Sequence, residues 1–309
     1  MMHWLKRFAA VSAVALVTAC GGGDDHDTVN IVETAKRDAQ FSILVEAVVA
    51  ADLATTLSGP GPYTVFAPTD TAFAALLTEL GITKAQLLAD KPLLTSVLTY
   101  HVLPSQVLKS AVPLGKAIST VQGAIFKIDS VSGNLVITDG RNRTSKIIAA
   151  DVIASNGVIH AIDKVLLPPD KTIVATAAAN PDFSILVEAV TAANLVTTLN
   201  SAGPFTVFAP TNAAFAALLT ELGLTKAQLL ANTPLLTKVL TYHVVAARVL
   251  KAEVPVATPI ATVEGETLSV SSGFVITDQR GRTANITATD ILTSNGVIHA
   301  IDKVILPKP

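Results

Sequence analysis

The chain has 309 residues, of which half are hydrophobic and 15% charged, with a formal net charge of −2. That is room for two ordinary domains, and the charge balance lacks the positive excess of a nucleic-acid-binding protein, so no nucleic-acid partner is expected. A single cysteine excludes disulfides within the chain, and aromatic residues at 5% leave few stacking platforms for sugars or bases.

Residues 1–19 read as an export signal, in which Lys6 and Arg7 precede an uncharged, mostly apolar run from Phe8 to Val17. A run of about ten residues is too short to span a hydrocarbon core about 30 Å thick, and no later stretch offers the roughly 18 apolar residues of a spanning helix. The signal ends Val17-Thr18-Ala19-Cys20, which resembles the lipobox of bacterial lipoproteins. The resemblance implies that Cys20 receives diacylglycerol and becomes the first residue after cleavage. The expected product is exported and lipid-anchored, with the membrane as its first partner. Several acyl chains hold far more firmly than one, since each buried CH₂ contributes about 0.8 kcal/mol. Gly21 directly after the cysteine resembles lipoproteins passed on to an outer membrane, so the domains should face the periplasm or the cell surface. Loss of Lys6 and Arg7 with the signal makes the net charge about −4 instead of −2. Residues 20–29, rich in glycine and aspartate, read as a flexible tether.

Beyond the tether, one unit is written twice. Phe41 to Val48 returns unchanged at Phe183 to Val190, Thr64 to Thr69 at Thr206 to Thr211, and Ala72 to Gly81 at Ala214 to Gly223. Val97 to Val102 recurs at Val239 to Val244, and Ser155 to Val165 at Ser294 to Val304. The offset is 142 in the first four tracts and 139 in the last, so the second copy lacks three residues, lost around the turn Val131-Ser132-Gly133-Asn134, where the second copy has the tighter Ser272-Gly273. A length change is best tolerated at a surface turn, which predicts a hairpin there. The units are assigned as residues 30–168 and 169–309, divided near Pro168-Pro169.

Within a unit, Ile43, Leu44, Ala47 and Val48 have helical spacing, and Asp52 is expected to cap a second short helix through Leu57. Tyr63 to Ala67 reads as a buried strand. Thr69 or Asp70 should cap a helix from Thr71 to Leu80 that Gly81 ends, and Thr83 to Gln86 has capping-box spacing. Downstream the period becomes two, through Ile125, Phe126 and Ile128, then Leu135 to Ile137, then Ile147 and Ile148. The class is α+β, helices first.

Four histidines lie beyond the tether, His101, His160, His243 and His299. None sits in a metal-ligand spacing, and neither a Gly-x-Ser-x-Gly elbow nor a phosphate-cradling glycine loop is present, so no metal, cofactor or catalytic residue is assigned. Asp70, Asp139, Asp151 and Asp163 could in principle pair as acid and base, but Asp70 becomes Asn212 in the second copy, and caps and turns account for the rest. Arg141 with Arg143, and Arg280 with Arg282, give each copy one compact basic loop that could grip an acidic partner.

Three repeated tracts together resemble the fasciclin domain. They are Thr64 to Phe73, the pair Tyr100-His101, and Asn156 to Pro168, recurring as Thr206 to Phe215, Tyr242-His243, and Asn295 to Pro307. The resemblance implies two tandem modules, each a β-sandwich-like wedge with helices along one side, in a non-enzymatic protein of cell or matrix contact with an extracellular protein or glycan partner. It also implies partner binding at Tyr100, His101, Tyr242 and His243. The flanking Val97, Leu98 and Val102 argue instead for a core address. Beyond the Asp70-to-Asn212 exchange, the loop from Lys109 to Val121 differs more from its counterpart, Lys251 to Val263, which would let the copies prefer different partners. A small-ligand or glycan-binding accessory protein is the alternative reading.

Overall fold

Local capping signals set most helix ends in the first unit. Asn30 accepts from Glu33 N to open α1 (Ile31–Lys36), and α2 (Ser42–Ala50) and α3 (Ala54–Ser58) follow. The expectation for Asp52 is corrected: Leu53 stands at the start of α3 without a side-chain cap. Asp52 takes a left-handed φ of 57°, and Leu53 N donates to Val48 O at 3.0 Å, so this residue closes α2 instead of opening α3. After β1 (Tyr63–Pro68), Thr69 caps α4 (Asp70–Leu80), which Gly81 ends at φ 66°. The Thr83–Gln86 capping box opens α5 (Lys84–Ala89), and Asp90 caps α6 (Lys91–Tyr100). The computed structural model describes residues 29–309; the signal, Cys20 and the tether through Thr28 lie outside the described residues.

The strands that follow are β2 (Val102–Leu103), β3 (Ile118–Ser119), β4 (Ile125–Val131), β5 (Asn134–Thr138), β6 (Thr144–Ala154) and β7 (Gly157–Ile162). They form one seven-stranded sheet in the order β2-β1-β7-β6-β5-β4-β3. The β1–β7 pair is parallel and every other pair antiparallel. Side-chain alternation along the central strands feeds two cores. Val65, Ala67, Ile159 and Ala161 join the helices, while Phe66 and Ile162 join Tyr100, Phe126, Ile128 and Ile137 on the other face. Covered on both faces, β1 and β7 are buried almost end to end, and their polar residues Thr64 and His160 are hydrogen-bonded to backbone carbonyls. Two register shifts between Ile147 and Val152 bend β6 so that the outer strands fold over the second core.

The second unit repeats this as α7 (Ile173–Ala178), α8 (Ser184–Ala192), α9 (Val196–Leu199), β8 (Phe205–Pro210), α10 (Asn212–Leu222), α11 (Lys226–Ala231), α12 (Thr233–Tyr242) and β9 (Val244–Val245). Then come β10 (Ile260–Ala261), β11 (Thr267–Val270), β12 (Val275–Thr277), β13 (Thr283–Thr293) and β14 (Gly296–Ile301), in the sheet order β10-β11-β12-β13-β14-β8-β9. The three missing residues fall in the β11–β12 hairpin, whose strands are shorter than those of β4–β5.

The units dock on each other through unlike surfaces. From the first come the β4 edge and its neighbours; from the second, the β13 bend and the segment around Leu250. Ile125 and Ala117 pack with Leu250, Leu292 and Val297. Lys127 Nζ meets Asp290 Oδ2 at 2.8 Å, with the two side chains 13% and 3% exposed. Asn142 pairs with Leu292 like a strand neighbour, donating to its carbonyl at 3.0 Å and accepting from its N–H at 2.7 Å. Ala117 N donates to Glu253 Oε1 at 3.3 Å, and a Cβ on Gly115 would lie 2.9 Å from that of Ala252.

Candidate functional site

The Tyr-His pair lies where α6 ends. Apolar neighbours Val97, Leu98 and Val102 draw that turn inward, and Tyr100 and His101 follow to 0% and 1% exposure. Tyr100 Oη donates to Ile125 O at 2.6 Å, tying α6 to β4. His101 Nδ1 donates to Val97 O at 2.7 Å, and Nε2 accepts from Leu166 N at 2.9 Å. This pattern needs a neutral ring. Burial, the largest influence, accordingly holds the His101 pKa down to about 4. Burial and then the Asp139 charge raise that of Tyr100.

The second unit repeats the arrangement. Tyr242 donates to Thr267 O at 2.9 Å, and His243 spans Val239 O at 2.7 Å and Ile305 N at 3.2 Å. Burial pushes Tyr242 up to about 12 and His243 down to about 4. The expectation that these four side chains contact a partner is therefore corrected: they face the core and join backbone segments far apart in sequence.

The other two histidines are staples as well. His160 Nδ1 accepts from Asp151 N at 3.2 Å, and Nε2 donates to Val107 O at 2.8 Å. His299 does the same between Asp290 N, at 3.2 Å, and Val249 O, at 2.9 Å, and burial lowers its pKa. The neighbouring closing signature is explained by Asn156, which accepts from Ile31 N and donates to Leu57 O and Gly59 O, fastening α1 and the end of α3 to the β6–β7 turn. A Cβ on Gly157 would sit 2.1 Å from Tyr63 O, so only glycine fits beside it.

The arginines of the basic loops, expected as partner-binding candidates, are engaged in internal hydrogen bonds and ion pairs. Asp139, 1% exposed, accepts from Arg141 N, Arg143 N, Leu167 N and Arg143 Nε. Arg143 also pairs with Glu79 at 2.9 Å and donates to Val165 O. Arg141 reaches Asp170 at 3.3 Å. In the second unit Asp278 accepts from Arg280 N, Arg282 N and Leu306 N, Arg280 donates to Pro307 O at 2.7 Å, and Arg282 pairs with Glu221 at 3.0 Å. These loops clamp the segment that follows the last strand of each unit. The remaining carboxylates are similarly committed. Asp70 holds Ser42 Oγ and Ile43 N, and Asp163 holds Ser145 Oγ and Lys146 N. Asn212 keeps Asp70's bond to the start of an earlier helix, accepting from Ile185 N of α8 at 3.0 Å and donating to Pro181 O and Ser184 Oγ.

Open space is modest. The cavity beneath His101 and its counterpart beneath His243 hold about 30 Å³ each, the room of one water, within apolar walls. A cleft of about 250 Å³ lies between the units, lined by Arg141, Asn142, Asp170, Lys171, Thr176 and Leu292. A groove of about 200 Å³ runs over the second unit among Phe215, Leu218, Leu229, Leu236, Arg280 and Leu306. Among the described residues no three His, Cys, Asp or Glu side chains converge as metal ligands, and no helix is long and apolar enough to cross a membrane.

The family model of the fasciclin domain matches twice, over residues 39–168 and 181–307. The chain belongs to the fasciclin family. Over part of its length this fasciclin chain is similar to Protein sll1483 of Synechocystis, 48% identical over 172 residues, covering 54% of this chain and 84% of that protein. It is also similar to transforming growth factor-beta-induced protein ig-h3 of rabbit, 31% identical over 253 residues, covering 81% of this chain and 35% of ig-h3. A solved FAS1 domain pair from the insect cell adhesion molecule fasciclin I aligns over 89% of this chain and 95% of its own, at 18% identity and a TM-score of 0.44.

The seam residues are what sequence reasoning missed. Their signal was present in the comparison of the copies, where Ile125 and Lys127 become Thr267 and Ser269, but it cannot say which surface lies opposite.

Proposed function

We propose that this chain is a non-enzymatic adhesion or interaction protein that is held at a membrane through lipidated Cys20 and binds an extracellular protein or glycan over the outer surface of its fasciclin pair. The observation that carries the reading is the fate of the polar interior. The four described histidines, both core tyrosines and Asp139 are committed to backbone hydrogen bonds, the use that a contact module rather than a catalyst makes of them. The docked units support it too, since two surfaces in fixed relation raise avidity when both can engage. Deleting the second unit, or the whole gene, is expected to reduce attachment to matrix, to neighbouring cells or to a biofilm. Unchanged attachment in all three would sink the reading. Membrane fractionation of wild type and Cys20→Ser with surface proteolysis tests the anchor, and an equal membrane share for both would remove it.

The cleft between the units favours a second reading, capture of a small polar ligand such as a sugar, because Arg141, Asp170, Lys171 and Thr176 converge on it. Its volume is just below the usual range for ligand sites. Thermal-shift screening against sugars and peptidoglycan fragments discriminates, since a ligand at 100 times its Kd adds about 2.7 kcal/mol.

A further inference from the structure

The seam is heterologous, so a fasciclin pair built this way leaves one unused edge and one unused face at its two ends. The unused edge, on the second unit, has been dismantled. Gly115, Ala117, Ile125, Lys127 and Asn142 of the working edge correspond to Ala257, Pro259, Thr267, Ser269 and Gly281, so no position keeps its residue. The unused face, on the first unit, has been kept. Leu250, Asp290, Ile291, Leu292 and Val297 correspond to Leu108, Asp151, Val152, Ile153 and Val158, identical at three positions and aliphatic at the other two.

The geometry of that face is kept as well. Asp151 and Asp290 adopt φ of 61° and 60°, and each accepts from the backbone N of the matching lysine, Lys109 at 2.8 Å and Lys251 at 2.7 Å. What differs is cover. Leu250 and Leu292 are 0% and 2% exposed under the first unit, whereas Leu108, Val152 and Ile153 stand 38%, 41% and 52% exposed. Asp290 spends its Oδ2 on Lys127, while no described residue meets Asp151 Oδ2. Capping of Lys109 N accounts for Asp151 alone; it gives no reason for three aliphatic side chains in water around it.

We propose that Leu108, Asp151, Val152 and Ile153 form a docking face for the β4 edge of a fasciclin unit on another polypeptide. The fitting edge is of the kind the first unit itself presents: an aliphatic residue and a lysine two apart on β4, the strand next to the short outermost β3, beside a turn asparagine. The occupant is read from the second unit, whose equivalent face carries such an edge in this chain. Wild type does not chain through this face, because its own working edge is occupied and its second edge is dismantled. This inference concerns the purified chain and stands whether or not the attachment assays above succeed.

The test frees the native edge. Leu292→Asp spoils the second unit's face, so that the Ile125–Lys127 edge of one molecule is released toward the Asp151 face of another. Sedimentation is expected to show one species for wild type and concentration-dependent, head-to-tail association for Leu292→Asp up to ~100 µM, where a contact of micromolar Kd is saturated. Adding Asp151→Lys should return a single species, and adding Lys127→Asp to that should restore association by reversing the pair. Asp290→Lys offers a second way to free the edge, should Leu292→Asp unfold the second unit. Freed-edge variants that stay monomeric with both units folded overturn the proposal, as does association indifferent to Asp151→Lys. Ile153-dependent binding to anionic lipid vesicles without association would make the patch membrane-facing and overturn it equally.

Discussion

The two units agree where side chains face inward and part where the units meet. Tyr100 and Tyr242, His101 and His243, His160 and His299, and Asp139 and Asp278 make matching backbone bonds. Along the β4 edge and its counterpart β11, by contrast, a packing and ion-pairing surface has become a short, small-residue strand. Duplicate interiors are held by the need to satisfy buried polar groups twice over, whereas the two ends of a heterologous pair meet different surroundings and diverge.

The largest expected effect breaks the likeness of the interiors. Phe126, fully buried, stands edge-on to Phe66 at 5.1 Å and to Tyr100 at 5.9 Å. Phe126→Ala should cost about 4 kcal/mol in the first unit, measured by denaturant unfolding. Phe126→Leu, which copies Leu268, should cost much less; equal losses would mean that the two second cores pack by different rules.

Acid should strike both units. The His101 and His243 rings titrate near 6.5 when unfolded and near 4 when folded. Between those values the unfolded chain binds protons that the folded chain refuses, so stability complete above about pH 6.5 is lost as pH falls toward 4, by on the order of 3 kcal/mol per unit. Calorimetry from pH 7 to 4 checks this, and a unit whose melting temperature holds steady would show that its histidine is not a buried neutral staple.

The seam gives a smaller, one-sided effect. Burial lowers the Lys127 pKa, but the bonds and charges of Asp290 and then Asp129 outweigh it and hold the group above its usual value. Lys127→Met strands the Asp290 carboxylate and should loosen the units by about 2–3 kcal/mol. Two separated calorimetric transitions are the readout, while Ser269→Lys should leave the trace unchanged. Least of all, Asp70→Asn should shift stability by under about 1 kcal/mol, because Asn212 already makes the equivalent bond. A larger loss would give the Asp70 charge a role that its twin lacks.

The repeat, the α+β order, the Thr83–Gln86 capping box and the hairpin with the missing residues were legible because each depends on neighbours along the chain. Asp52 misled for the same reason. Its sequence context suits a cap, but the turn it occupies is claimed first by the end of α2. The ion pairs of the first arginine loop were only partly legible, because Asp139 lies in the loop itself whereas Glu79 and Asp170 come from separate places in the chain. The seam was illegible on different grounds: Lys127 and Asp290 are 163 residues apart and carry no local pattern.

The tie between the β6–β7 turn and the start of the fold also sets how the molecule bears force. Val29 O accepts from Ser155 N, and Asn156 grips α1 one residue beyond its cap. A pull on the chain ahead of Val29 is therefore passed to β7 and its parallel neighbour β1, both interior strands of the sheet. Those strands carry six register pairs side by side, so the load is shared among them instead of opening one bond at a time.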